Sequence, residues 1–374
     1  MSTHTEGLIM DRRQFLFDAS LALALAAAAK CAPIRNPVGL QDRAHCAPWL
    51  VGTEMPYSAL AYAKPLVARV LSDFGILTFP NELKWDAVHT APGVYNFDIP
   101  DKFMVWAQQN RLQVRGHNLA WPDYGTPKWV MDYATRSNAR ALLEEHINTV
   151  VRRYAGKIHS WDVLNEPLNV WDKRPDLLAA HPWVDLIGPE YIDIAFHTAA
   201  SADPHARLIW NQNYVESDDP GDQQNRDALL AQLRRLKSAG VPIHGLGIES
   251  HLFAEKTMAT SNMERFIGEV RSLGLEVQIT ELDVNDSQLP LNIERRDQMV
   301  ADVYKRYLDL MTRIASPTVI AFWSYTDKNN WYDWVEKTLP RYGRPDGAPH
   351  RPGLLDADLR EKPAYYAVSA ALSR

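Results

Sequence analysis

The 374 residues carry 46% hydrophobic and 23% charged side chains, a soluble globular composition that excludes a disordered or fibrous chain. A net charge of −6 and a pI near 6.1 leave no basic footprint for nucleic acid or for an anionic membrane surface. The length suits one α/β barrel or two smaller domains, and two cysteines, Cys31 and Cys46, supply neither a disulfide framework nor a zinc spacing.

Residues 1–35 read as an export leader. Arg12-Arg13-Gln14-Phe15-Leu16 is a twin-arginine pattern, and the apolar run Leu21 to Ala29 behind it is too short to span a bilayer. Lys30 directly before Cys31 is a poor fit for a lipid-modified cysteine. The leader predicts a periplasmic or secreted protein with no stable membrane association once it is removed. The rival reading is an amphipathic N-terminal helix.

Residues 36–374 form one domain in this reading. Apolar strand-like runs are predicted at Pro48–Glu54, Ile76–Pro80, Gln113–Asn118, His159–Glu166, Arg207–Asn211, Ile243–Ser250, Glu276–Asp283 and Val319–Thr326. Helical patterns fall between them at Tyr57–Phe74, Pro100–Asn110, Ser137–Tyr154, Pro189–Ala202, Gln223–Ala239, Asn262–Leu273 and Asn292–Ala315, with a last one at Pro363–Arg374. Ala239-Gly240 and Leu273-Gly274 place glycine where a helix ends before a strand. The strand runs lack period-2 alternation, as strands covered on both faces do. Eight strand–helix units predict a (β/α)8 TIM barrel. An open doubly wound sheet is the alternative, but no glycine-rich phosphate turn follows the first strand. Pro340–Gly353 reads as a long surface loop.

A barrel of this kind builds its active site at the C-terminal strand ends. Those ends carry Asn81 and Lys84, His117 and Trp121, Asn165 and Glu166, Asn211, Glu249 and His251, Glu281, and Trp323, whereas the strand bodies read as apolar. Glu166 ends the fourth run and Glu281 lies near the end of the seventh. Two carboxyl groups brought to one cleft are what glycosidic bond cleavage requires, about 5–5.5 Å apart for retention and about 6.5–9.5 Å for inversion. For a single Glu the ordinary alternative is a solvated surface charge, for a His a satisfied structural ring, and for a Trp the core. The chain holds 12 Trp, and indole faces stack on sugars; core packing accounts for about half of them.

Trp161-Asp162-Val163-Leu164-Asn165-Glu166-Pro167 together with Ile279-Thr280-Glu281-Leu282-Asp283 resembles glycoside hydrolase family 10, the endo-β-1,4-xylanases. The likeness continues through Asn81-Glu82-Leu83-Lys84-Trp85, Arg115-Gly116-His117-Asn118-Leu119-Ala120-Trp121, Ile187-Gly188-Pro189-Glu190-Tyr191-Ile192, Ser250-His251, Trp323, Trp331 and Lys362-Pro363-Ala364-Tyr365. The resemblance implies a retaining cleavage of β-1,4-xylosidic bonds in xylan or xylo-oligosaccharides, with no metal or organic cofactor. It implies Glu166 as general acid/base and Glu281 as nucleophile, with His251 orienting Glu281 and Asn165 binding a sugar 2-hydroxyl. It further implies that His117, Lys84 and Asn81 hold hydroxyls on the non-reducing side, and that Trp121, Trp323 and Trp331 wall the sugar.

Three positions depart from the family pattern. Pro80 stands where a Glu is usual, Pro122-Asp123-Tyr124 replaces a His and a nearby Gln, and Glu249 replaces a Gln. Each lost sugar contact costs about 1–3 kcal/mol, so the substrate is more open than the reaction. The alternatives are a β-glycanase for another or decorated polysaccharide and a non-catalytic sugar-binding barrel.

Overall fold

The computed structural model describes residues 39–45, 47–122, 125–328 and 330–373. The leader, Cys31, Cys46 and the pair Asp123-Tyr124 lie outside the described residues.

Eight parallel strands close on themselves. They are β1 (Leu50–Glu54), β2 (Ile76–Thr78), β3 (Gln113–Gly116), β4 (Ser160–Asn165), β5 (Arg207–Gln212), β6 (Gly245–Ile248), β7 (Glu276–Asn285) and β8 (Val319–Phe322). Each pairs with its sequence neighbour, and β8 returns to β1 through Leu50↔Val319 to Thr53↔Phe322. The main helices between and after them are α1 (Lys64–Asp73), α2 (Asp98–Gln109), α3 (Ala139–Arg153), α4 (Tyr191–Ala202), α5 (Pro220–Ser238), α6 (Thr260–Ser272), α7 (Ile293–Ile314) and α8 (Pro363–Leu372). The (β/α)8 barrel is therefore present, with its elements in the predicted order.

Helical periodicity sets which faces point inward. On α7, Val300, Val303, Tyr304, Tyr307, Leu308 and Met311 recur three and four residues apart and are buried. Asn292 caps its start, its side chain accepting from the Arg295 N–H at 2.8 Å. Gly240 and Gly274 take the left-handed conformation after α5 and α6, with φ of 71° and 74°.

Three expectations change. The helix predicted over Tyr57–Phe74 is two, Ala59–Tyr62 and α1, broken at Ala63. Pro65 lies in the first turn of α1, where a missing N–H costs nothing. The sixth strand stops at Ile248 rather than Ser250, because Ser250 has φ of 67° and leaves the extended region. The strand bodies are also not uniformly apolar. Thr53, Thr78, Arg115, Ser160, Asp162 and Gln278 are buried among the barrel strands. Arg115 there donates to Asp162 at 2.6 Å, Gln278 at 3.2 Å and Thr78 at 3.3 Å. A buried guanidinium needs such pairing, since an isolated charge in the interior costs several kcal/mol. Gly116 is required on β3, because a Cβ there would stand 2.1 Å from the Trp161 ring.

Both strands that carry the predicted carboxylates are irregular near them. The β4–β5 register shifts between Asp162 and Leu164, and the β7–β8 register shifts between Ile279 and Leu282, bracketing Glu281. Such shifts re-aim side chains next to active sites.

Candidate active site

Glu281 is almost wholly buried, at 4% exposure, and sits among donors. Its Oε1 accepts from the Asn211 amide at 2.8 Å and lies 3.8 Å from His117 Nδ1; its Oε2 lies 3.4 Å from His251 Nε2. Burial alone would raise its pKa. The charges of His117, His251 and Arg115 outweigh that and hold it below the usual carboxylate range, so Glu281 is an anion at neutral pH.

His251 is fixed from its other side. Asp283 accepts from His251 Nδ1 at 2.9 Å, from the Tyr332 hydroxyl at 2.6 Å, from Ser324 at 3.1 Å and from the Trp331 indole N–H at 2.5 Å. Burial disfavours the imidazolium, but the Asp283 and Glu281 carboxylates prevail and carry His251 well above the ordinary histidine range. The ring is therefore a cation with both nitrogens donating.

Glu166 follows the last residue of β4 with φ of 50°, a conformation that is strained for a residue with a side chain. Its N–H donates to the Asn211 carbonyl at 2.9 Å, and Pro167 follows. Its Oε1 accepts from the Asn165 amide at 3.2 Å. Asn165 Oδ1 in turn accepts from Asn211 Nδ2 at 2.7 Å, so three hydrogen bonds lead from Glu166 to Glu281 through two asparagines. Thr280 donates to Asn211 Oδ1 at 2.7 Å and sets which way that amide faces.

The other predicted residues surround this pair. His117 Nδ1 donates to Asp162 at 2.9 Å, and its ring meets the edge of Trp323 at 5.2 Å. Trp331 packs on His251 at 4.6 Å. Lys84 donates to Asn81 at 3.1 Å and stands 5.0 Å over the Trp121 ring. Burial lowers the Lys84 pKa, against the raising pull of Glu281, Asp86, Glu166 and Glu82. Glu249 is buried, and its Oε1 lies 3.2 Å from Asn211 Nδ2. All eleven predicted residues thus lie at the C-terminal strand ends or in the loops that follow them. Of the tryptophans outside this group, Trp85, Trp161, Trp183 and Trp210 belong to the core.

Two cavities reach residues of the site, although neither Glu166 nor Glu281 lines them. One, of about 650 Å³, is bordered by Tyr214, His251, Phe253 and Lys256; the other, of about 510 Å³, is bordered by Glu54, Tyr62, Trp323 and Tyr325. Glu54 was missed in the sequence. It ends β1, and burial together with the Glu82 charge pushes its carboxyl up to about 8 despite Lys84. Asp283 and the linking role of Asn211 were missed as well. The signal for Asp283 was its spacing of two from Glu281, which turns both side chains to one side of the strand. Glu249, His251 and Glu281 bring three ligand atoms within 4.8 Å of one another.

The sequence model of Glycosyl hydrolase family 10 matches residues 39–371. A β-1,4-xylanase of Dictyoglomus thermophilum is 34% identical over 79% of this chain and 81% of its own length. Endo-1,4-β-xylanase D of Talaromyces funiculosus is 33% identical over 86% of this chain and 74% of its own. Among solved structures, native xylanase 10B from Thermotoga maritima superposes with a TM-score of 0.79 at 29% identity, covering 90% of this chain and 98% of that one. Xylanase 10B from Thermotoga petrophila RKU-1, in complex with xylobiose, gives 0.80 at 28% identity, covering 91% and 98%. The closed barrel, its carboxyl-lined face and a family match that runs nearly from one end of the described fold to the other have one reading: the chain belongs to glycosyl hydrolase family 10.

Proposed function

We propose that Glu166 and Glu281 carry the endo-1,4-β-xylanase reaction of this chain as a retaining double displacement. The Glu281 carboxylate attacks the anomeric carbon while Glu166 gives its proton to the departing glycosidic oxygen. A water then attacks the glycosyl-enzyme, Glu166 takes the water's proton, and Glu281 leaves as carboxylate. The observation that carries this division of roles is the donor set around Glu281. Asn211, His251 and nearby His117 favour its anion, and Glu166 is the more accessible of the two.

The remaining predicted residues take supporting roles. Asn165 is aimed from β4 to meet a sugar 2-hydroxyl, and Asn81, Lys84 and His117 offer polar groups on one side of the pair. Trp121, Trp323 and Trp331 present aromatic surface for a pyranose ring. The partner is a xylo-oligosaccharide or xylan chain. The twin-arginine pattern supports export; a reporter fused to residues 1–35 should leave the cytoplasm, and Arg12→Lys with Arg13→Lys should retain it.

The test is product release from purified protein on xylan, arabinoxylan, β-glucan and carboxymethylcellulose side by side, with Glu281→Ala as control. Reducing ends from xylan that vanish in the variant are the expected result. Full activity of Glu281→Ala would end the mechanism. Hydrolysis of β-glucan alone would keep the two carboxylates and reassign the substrate to the altered positions Pro80, Pro122 and Glu249.

A further inference from the structure

Glu249 lies just past the end of β6, 1% exposed, as a third carboxyl beside Glu281. Among the described residues, its surroundings do not provide for an anion. Asn211 Nδ2 has two hydrogens and three oxygens within reach: Asn165 Oδ1 at 2.7 Å, Glu281 Oε1 at 2.8 Å and Glu249 Oε1 at 3.2 Å. The two shorter contacts use both hydrogens. His251 Nε2 is likewise closer to Glu281, at 3.4 Å, than to Glu249, at 3.8 Å. Glu249 is thus the last claimant on donors that Glu281 needs.

The charges facing it point the same way. Glu166 approaches from β4, Glu281 from β7 and Glu216 from the segment after β5, and His251 opposes them. Glu216 is itself buried, its carboxylate oxygens accepting from the Val215 and Ser250 N–H groups at 2.9 Å each. Burial first, and then the Glu166 and Glu281 charges, push the Glu249 carboxyl well above the usual range.

We infer that Glu249 is a positioning residue that works only as the neutral acid, doing for Glu281 what an amide would do at the same place. Held protonated, it leaves Asn211 and His251 to Glu281. Once ionised, it competes for both donors and sets a second anion beside the nucleophile, which loosens Glu281 and opposes its attack on the sugar. The inference rests on the assignment of Glu281 as nucleophile.

The test separates Glu249 from the general acid. The substrate is 2,4-dinitrophenyl β-xylobioside, whose leaving group needs no proton, and the background is Glu166→Ala with azide present to turn over the intermediate. The alkaline fall in kcat/KM should persist in Glu166→Ala and move, in Glu166→Ala/Glu249→Gln, to the higher pH at which His251 gives up its proton. At about pH 5, Glu249→Gln should exceed Glu249→Ala in kcat/KM by about tenfold or more, because only the amide keeps the neutral polar contact. A fall that stays at the same pH in the double variant overturns the inference. So does a fall already absent in Glu166→Ala, or a Glu249→Gln protein with native circular dichroism and no more activity than Glu249→Ala. Failure of wild type to release dinitrophenol at any pH would instead strike the xylanase reading itself.

Discussion

Truncating Asn211 tests whether the site is held by the network rather than by the glutamates themselves. Asn211→Ala removes the bonds to Asn165 at 2.7 Å, Glu281 at 2.8 Å and Thr280 at 2.7 Å, and the weaker contact to Glu249 at 3.2 Å. Each buried polar group left without a partner costs about 1–3 kcal/mol. The groups touch one another, so their costs do not simply add, and a water can enter the space left behind. Glu281 also keeps His251. A net loss of about 3 kcal/mol is expected, read as a lower urea midpoint by tryptophan fluorescence. The kinetic cost should be larger in kind. With one donor gone from Glu281 and Asn165 adrift, kcat/KM on xylo-oligosaccharide should fall by about 10²–10³. Asn211→Asp keeps the volume and turns the donor into an acceptor facing Glu281; it should lose as much activity as Asn211→Ala, which separates hydrogen bonding from packing. A stability loss below about 1 kcal/mol with kcat/KM within about threefold of wild type would refute the reasoning.

Glu166→Ala should hydrolyse xylan at least about a hundredfold more slowly, recover on aryl xylobioside with azide, and yield a glycosyl azide of retained configuration seen by NMR; an inverted azide would contradict double displacement. In Asp283→Asn the support for the His251 cation is withdrawn, so imidazole nitrogen NMR should show a doubly protonated His251 above neutral pH in wild type and a neutral ring in the variant. Because Asp283 and Glu281 place the folded pKa of His251 above its unfolded value, the associated stability is complete below about pH 6.5 and is lost only as the pH rises through the folded value. The stability deficit of Asp283→Asn should therefore be largest at and below neutral pH and shrink in alkali; a deficit that grows with pH would refute this sign. Ser316 is exposed, has φ of 46° and lies between α7 and β8, so Ser316→Gly should stabilise by about 0.5–1 kcal/mol in urea titration with unchanged kinetics.

The barrel and its two glutamates were legible because they rest on local chemistry. Apolar runs such as Trp161 to Leu164 end abruptly on a polar pair, and helical stretches between them end on glycine. What was not legible depends on distances between strands that are remote in the chain. Arg115 reads as a polar residue in an otherwise apolar strand, and only the barrel shows it meeting Asp162 and Gln278 in the interior. Asn211 reads as one more polar strand end, and its importance comes from having β4 on one side and β6 and β7 within reach. Glu54 was hidden because β1 ends in a mixed run, with Gly52 and Thr53 before it and Met55-Pro56 after it. Boundaries failed where backbone strain intervened, as at Ser250.

That strain explains why β5 organises the site while supplying neither acid nor nucleophile. Glu166 and Ser250 both hold positive φ at the ends of β4 and β6, the two strands that flank β5. Each costs about 1–3 kcal/mol unless its surroundings compensate. In both cases the N–H is received by the chain of β5 and its loop: Glu166 N–H by the Asn211 carbonyl and Ser250 N–H by the Glu216 carboxyl, each at 2.9 Å. The strained turn at Glu166 swings its carboxyl off the line of β4 and toward the cleft. The one at Ser250 lets Glu249 and His251 face Glu281 from the same short segment. Asn211 then closes the arrangement with its side chain. One strand thus fixes the backbone under the acid and orders the donors around the nucleophile, so a shift of β5 would disturb both carboxylates at once.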